Sequence, residues 1–373
     1  MTSSPRCTWF VPLVMAFSAI LINGTVSAQS KPAPHPQVKG IFEPANYPED
    51  VEFTDVWFAD GDTGWAAGHA RSDAGDGGFI IKTTDAGKTW NLQMGDPHSG
   101  TRDVLRIFFL DATHGWASQA GSKLLRTTDG ENWETAGDFP SGKAFAFATP
   151  QRGFYLDGDR ITMTTNGGGS WKQNYRCRAK VEVQGLPHED SCNLQAITFA
   201  TPTVGYVLSS EVSDKSSVIL KTSDGGSTWS VLSFLPQSTG IENGIGFADE
   251  NIGFAMTYQM KMLGTSDGGQ TWHGVATSVP GGRPRVRFAG PVGWTIKGST
   301  WAYTTDGGKR WLSREIRFPT AVEAFSLPRS DRGYVVGSHG MIYRYSVVPG
   351  DYTSPRSVAA PAMTSTPTSG GKP

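Results

Sequence analysis

Residues Thr83-Thr84-Asp85-Ala86-Gly87-Lys88-Thr89-Trp90 spell Thr-x-Asp-x-Gly-x-x-Trp, and this octet decides the fold because it recurs. It returns as Thr222–Trp229 (TSDGGSTW), Thr265–Trp272 (TSDGGQTW) and Thr304–Trp311 (TTDGGKRW). Two further copies are altered. Thr164–Trp171 carries Asn166 where the others have aspartate, and Thr127–Trp133 (TTDGENW) is one residue shorter. Asp or Asn followed by Gly makes a tight hairpin turn, because glycine accepts positive φ. The carboxylate accepts hydrogen bonds from turn amides that would otherwise be unpaired, and the Thr hydroxyl adds another. The closing Trp starts the next strand and gives each unit apolar surface that only a neighbour can cover. Asp85, Asp129, Asn166, Asp224, Asp267 and Asp306 are therefore read as structural, not catalytic.

Ahead of the octets runs a second pattern, a Gly-aromatic pair that opens an apolar stretch. It occurs at Gly64-Trp65, Gly115-Trp116, Gly153-Phe154, Gly205-Tyr206, Gly253-Phe254, Gly293-Trp294 and Gly333-Tyr334, seven times in all. The spacing is about 40 residues, the length of a unit with four short strands, which is a propeller blade. The seventh unit has no octet, since Tyr343-Arg344-Tyr345 runs straight on into Val347. The sequence thus predicts an all-β chain folded as a single seven-bladed β-propeller of four-stranded blades. Ring closure should pair residues before Phe58 with the chain near Tyr343–Val347.

The chain has 373 residues, with 46 Gly, 12 Trp, 18% charged residues and a net charge of −1. A balance so close to zero creates no field for nucleic acid or an acidic membrane, and no nucleic-acid partner is expected. Arg6, the apolar run Phe10–Ile22 and Val26-Ser27-Ala28 read as a signal peptide over residues 1–28. That run is short of the roughly 20 residues of a membrane span. A Pro-rich linker is expected over 29–40, the propeller over 41–348, and a disordered Pro/Ser/Thr-rich tail over 349–373. These ends predict a periplasmic or secreted protein. Once Cys7 leaves with the signal, Cys177 and Cys192 remain, and an even count in an oxidising compartment favours a disulfide. It would close a loop of about 15 residues, worth roughly 3 kcal/mol on the chain-entropy argument.

The octets with their leading Gly-Trp pairs resemble the Asp-box (bacterial neuraminidase repeat) propellers. Within that group the blades look most like those of the photosystem II stability and assembly factor family. The resemblance rests on Asp55-Val-Trp-Phe58, Gly64-Trp65-Ala-Ala-Gly68 and Thr83–Trp90, and covers about residues 50–345. It implies a propeller with Asp-box turns. It also implies a non-enzymatic factor that holds membrane-protein precursors during assembly. Sialidases share the boxes, but their Phe/Tyr-Arg-Ile-Pro motif is missing near the N-terminus; Ile316-Arg-Phe-Pro319 is only a scrambled echo.

Function should sit at the channel mouth and on the face away from the boxes. Three insertions map to that face: His69–Gly78, Glu211–Ser217 and Lys172–Leu194. Aligning the inner strands on Phe58, Phe109, Phe147, Phe199, Phe247, Phe288 and Leu327 places Asp55, Arg106, Lys143, Gln195, Asn243, Arg285 and Glu323 just before them. Such a ring of both signs suits a polar ligand or peptide. The expected partner is a protein or peptide, a membrane protein included, on a monomeric propeller, with a glycan as the alternative. Asp55 and Glu323 are the one carboxylate pair that adjacent blades could offer a glycosidase. No other catalytic constellation, metal spacing or cofactor motif is present. Asp60-Gly-Asp62 and Asp73-Ala-Gly-Asp76 lack enough ligands for calcium. No catalytic residue, metal or cofactor is assigned.

Overall fold

The computed structural model describes residues 38–45, 47–70, 77–98, 100–140, 143–183, 186–212, 216–235, 244–256, 262–275 and 285–349. Val38–Pro349 forms one compact unit. Within it lie seven four-stranded antiparallel sheets and one separate two-stranded hairpin, and the chain is a seven-bladed β-propeller. The inner strands are Val51–Phe58, Val104–Phe109, Phe145–Phe147, Leu194–Phe199, Ile245–Phe247, Arg287–Ala289 and Val322–Arg329, for blades 1 to 7.

Blade 7 is built from both ends of the chain. Val38–Pro44 pairs antiparallel with Ile342–Pro349, from Val38 opposite Pro349 to Pro44 opposite Tyr343. The octet is missing from this blade because its outer strand comes from the front of the chain instead of the next turn. The first strand starts at Val38, three residues ahead of the expected start at 41.

The turns repeat one hydrogen-bond set. In blade 1 the buried Thr83 hydroxyl donates to Asp85 Oδ1 (2.9 Å) and accepts from Gly87 N–H (2.9 Å). Asp85 in turn accepts from the Thr89 N–H (2.9 Å) and hydroxyl (2.7 Å). The same roles pass to Thr222, Asp224 and Thr228, to Thr265, Asp267 and Thr271, and to Thr304, Asp306 and Arg310. In blade 3 the Asn166 side-chain oxygen accepts from Ser170 N–H at 2.9 Å. Asp129, in the shortened copy, accepts from Glu131 and Asn132 N–H at 2.8 Å each. The five full-length turns also bond to the loop after their own inner strands, as Ala86 N–H does to Asp62 O and Gly225 N–H to Thr203 O.

Between blades the Gly-aromatic pairs do the packing. The aromatic ring lies flat on the inner-strand Phe of the following blade: Trp65 on Phe109 (3.8 Å between centroids), Trp116 on Phe147 (3.6 Å) and Tyr206 on Phe247 (3.7 Å). Tyr334 on Phe58 (3.4 Å) repeats the contact across the closure from blade 7 to blade 1. The octet Trp of the same blade meets that Phe edge-on, as Trp90 does Phe58 and Trp133 does Phe109. The polar ends are used too. Trp116 Nε1 donates to Gly167 O (3.0 Å) and the Tyr334 hydroxyl to Gly61 O (2.7 Å).

Candidate functional site

Each inner strand alternates its side chains. Counting back from the reference Phe, the side chains two positions before it face the preceding blade, as Ile107 and Val56 do in its core. Those one and three positions before it lean toward the following blade and the channel. In blade 1 these are Trp57 and Asp55, in blade 2 Phe108 and Arg106, and in blade 6 Arg287 and Arg285. Blades 3 and 4 offer only Ala146 and Ala144, and Thr198 and Ala196. A cavity of about 410 Å³ results, lined by inner strands of blades 1 to 6 and including all ten of these residues. The large side chains of blades 1, 2 and 6 frame it, and the small ones of blades 3 and 4 leave it open.

Asp55 is the electrostatic centre. It is 3% exposed. One oxygen accepts from its neighbour's Val56 N–H (3.1 Å), the other from Ile107 N–H of blade 2 (3.2 Å). Arg285 Nη1 completes the shell at 2.5 Å. Arg285 belongs to blade 6 and Asp55 to blade 1, so the pair bridges past blade 7. Blade 7 carries only Ala324 and Ser326 at the corresponding positions, and Ser326 Oγ accepts from Phe58 N–H (3.1 Å).

Two further guanidiniums share this carboxylate's field. Arg287 lies 5.6 Å over the Trp57 ring. Arg106 stands in the same lining. Neither guanidinium has a hydrogen-bond acceptor among the described residues. Burial, and then repulsion from Arg285, pull both down to about 10, while Asp55 pushes the other way. Both side chains keep some surface toward the cavity although they sit deep among protein atoms. At neutral pH both remain charged. Three cations and one anion leave two positive charges beside an open cavity, an arrangement that gains from an anion and costs free energy without one.

The expected ring divides here. Asp55, Arg106 and Arg285 are brought together. Lys143, Gln195 and Glu323 lie one residue further back and line no part of the cavity. Lys143 pairs with Asp157 at 2.9 Å, and Glu323 is exposed. The physical reason is strand alternation: Asp55, Arg106 and Arg285 stand three residues before the reference position, whereas Lys143, Gln195 and Glu323 stand four before it, and in blades 4 and 7 that fourth residue is also the one the register skips. Asn243 lies outside the described residues, as do residues 71–76 and 213–215 of two insertions. Asp55 and Glu323 do not share a site, since only Asp55 lines the cavity. Arg287 was missed. Its signal was the alternation Arg285-Val286-Arg287, two cations on one side of a strand. Cys177 and Cys192 form a disulfide, both buried. No group of three or more metal-ligating side chains gathers among the described residues.

No family model and no curated protein matches the chain. Solved structures do. A structure titled YCF48 bound to D1 peptide is 18% identical, with a TM-score of 0.57 over 84% of this chain and 97% of that one. YCF48 from Cyanidioschyzon merolae is also 18% identical, with a TM-score of 0.61 over 82% and 98%. The GH74 enzyme of Niastella koreensis is 13% identical, with a TM-score of 0.57 over 81% of this chain but only 53% of its own. At such identities the likeness establishes the propeller fold alone.

Proposed function

We propose that the protein is a non-catalytic binding propeller whose channel receives an anionic group of a peptide or protein partner. One observation carries this reading. Arg106, Arg285 and Arg287 share the single carboxylate of Asp55 beside an open cavity, and two of the three guanidiniums have no hydrogen-bond partner among the described residues. A carboxylate entering there would gain charge-assisted, bidentate hydrogen bonds. Trp57 and Phe108 add apolar surface for the residues beside it. The YCF48 structure with a bound D1 peptide supports peptide recognition on this fold. The Asp-box resemblance adds to that, and a role in assembling a membrane protein follows from it. The buried disulfide supports an oxidising, extracytoplasmic compartment. Among the described residues no helix is long and apolar enough to cross a membrane.

A carbohydrate-active role is the second reading, supported by the GH74 likeness and by the aromatic rings of the cavity lining, Trp57 and Phe108 among them. It is the weaker one. Glycoside hydrolysis needs two carboxylates, and the lining contains one, already paired with Arg285.

The test is affinity capture from the native envelope with the wild type and with Arg106→Ala/Arg287→Ala. Neither guanidinium has a hydrogen-bond partner among the described residues, so the double variant leaves no acceptor unpaired there and should keep the fold. Each lost charge-assisted bond is worth about 1.5–3 kcal/mol, so partner affinity should fall at least about tenfold. An unchanged partner set with unchanged affinity would sink the channel reading. Capture of oligosaccharides alone, or hydrolysis of xyloglucan, would favour the second.

A further inference from the structure

The charges of the channel decide which anion fits it. Its lining holds four ionisable side chains among the described residues, Asp55, Arg106, Arg285 and Arg287, three positive and one negative. Asp55 does not serve all three arginines. Its oxygens already accept from Val56 N–H, Ile107 N–H and Arg285 Nη1. Burial lowers the pKa of Arg106 and Arg287, Arg285 lowers both further, and Asp55 is the carboxylate that raises them. Arg287 also feels Arg106. The three guanidiniums and the one carboxylate thus form a single electrostatic cluster around a common space.

A guanidinium presents its N–H donors in a planar fork. Arg287 rests over the Trp57 ring at 5.6 Å, a contact that engages none of them. A single carboxylate would bring one charge and two oxygens, and would leave the lining positive. A phosphate monoester brings close to two charges and three strong acceptor oxygens on one centre. Two carboxylates of one ligand carry the same charge but divide it between two places. All three guanidiniums act on the same Asp55, so concentrated charge matches them better than divided charge. The cavity of about 410 Å³ also admits the side chain that carries the group, between Trp57 and Phe108 on one side and Ala144, Ala146 and Ala196 on the other.

We propose that the channel is a site for a phosphoryl group, carried on a side chain of the partner. This rests on the channel reading above and names the anion that it takes. Arg106 and Arg287 would clamp the phosphoryl oxygens in bidentate fashion. Asp55 is a positioning residue, since its bond holds Arg285 of blade 6 beside them. Without the ligand the two unpaired guanidiniums repel each other in a place with little water, and a dianion removes that cost.

The test is calorimetric titration of the full chain at about 0.15 M salt, where long-range attraction is screened. The probes are an end-blocked glycine peptide with one central phosphoserine, the same peptide with glutamate in that place, inorganic phosphate, and succinate. At about pH 7.5 the phosphopeptide should bind about tenfold more tightly than the glutamate peptide. At about pH 5 its affinity should be about fivefold lower, because the phosphate takes up its second proton near pH 6. Arg106 and Arg287, with pKa values of about 10, stay charged throughout. That profile is read on the wild type and needs no variant. Arg106→Lys/Arg287→Lys keeps the charge, loses the forks and should bind the phosphopeptide about tenfold more weakly. Equal affinity for the two peptides, or no weakening at about pH 5, would overturn the phosphoryl proposal and leave the anionic-peptide reading standing. Succinate binding more tightly than inorganic phosphate would overturn it in favour of two separated carboxylates. Binding of inorganic phosphate but not of the phosphopeptide would support the phosphoryl site and sink the peptide reading. Binding of none of the four would sink both.

Discussion

Asp85 is kept charged by the turn it builds. Its pKa falls to about 2, first because the Thr89 N–H bonds to it and then because the Thr89 hydroxyl does. Asp224 and Asp267 fall to about 2 as well, led by the hydroxyls of Thr228 and Thr271. A folded-state value below the unfolded one, near 3.9, means that the unfolded chain binds more protons over that interval. The stabilisation is thus whole above about pH 4 and fades as pH falls toward 2. Asn166 shows that an amide can fill the same place, since its oxygen accepts the same Ser170 N–H without titrating. Asp85→Asn/Asp224→Asn/Asp267→Asn should therefore unfold in urea with a midpoint that falls less steeply between pH 4 and 2 than that of the wild type. Parallel pH profiles would remove these carboxylates as the source of acid sensitivity. The turn residues were legible because the octet repeats, so six copies explain one another. Arg287 was not, because nothing repeats it; its meaning came only when blade 7 supplied Ala324 and Ser326 and left a path to Asp55.

The unit that recurs at the level of elements is a phenylalanine folded over a glycine. In blade 2 the Phe109 ring lies where a methyl on Gly115 would have to go, and Phe58 with Gly64 and Phe147 with Gly153 repeat this. The glycine is required for space, since neither Gly64, Gly115 nor Gly153 has a positive φ. Gly115→Ala should cost about 1–3 kcal/mol through overpacking, and Phe109→Ala about 3–5 kcal/mol through the cavity it leaves. Combined, the two changes should cost clearly less than their sum, because the added methyl enters the space the ring vacated. Chemical denaturation of the four proteins closes the cycle; strict additivity would refute the contact. This pairing was readable as Gly-Trp after an inner-strand Phe. The bulges were not. Thr54, Leu105, Gln195 and Glu323 look like ordinary strand residues, and only their pairing shows that the register skips them. Lys143, Gln195 and Glu323 stand one residue too early in their strands to match Asp55 and Arg106, and the residues at the matching positions of blades 3, 4 and 7 are Ala144, Ala196 and Ala324.

A ring of blades has no free end only if its last sheet is shared between the two ends of the chain. Here Val38–Pro44 is that shared strand, in antiparallel register along all seven of its residues with the Ile342–Pro349 strand, from Val38 opposite Pro349 to Pro44 opposite Tyr343. Phe42 carries its side-chain contribution, in contact with Trp294, Trp301, Phe318 and Tyr345 at 5.1–5.8 Å between centroids. The neighbouring seam depends on blade 7 too, through Tyr334 on Phe58 and the Ser326 bond to Phe58 N–H. Removing residues 38–44 would take away one ladder of hydrogen bonds and a ring worth about 3–5 kcal/mol. It would also leave Ile342–Pro349 as an exposed edge. For a chain of this size a loss of that order lowers the melting temperature by about 10 °C or more. Because every blade is held by its neighbours, the truncated protein should still unfold in one transition, only earlier, and Phe42→Ala should reproduce part of the shift. A truncated protein that melts with the wild type would mean that the strand merely lies on blade 7. The channel follows from the same closure. Arg285 of blade 6 meets Asp55 of blade 1 only while blade 7 stands between them in its place. Partner binding by the truncated protein should therefore be lost together with its fold, at its own lower melting transition, and a binding loss that preceded melting would show that blade 7 opens independently of the ring.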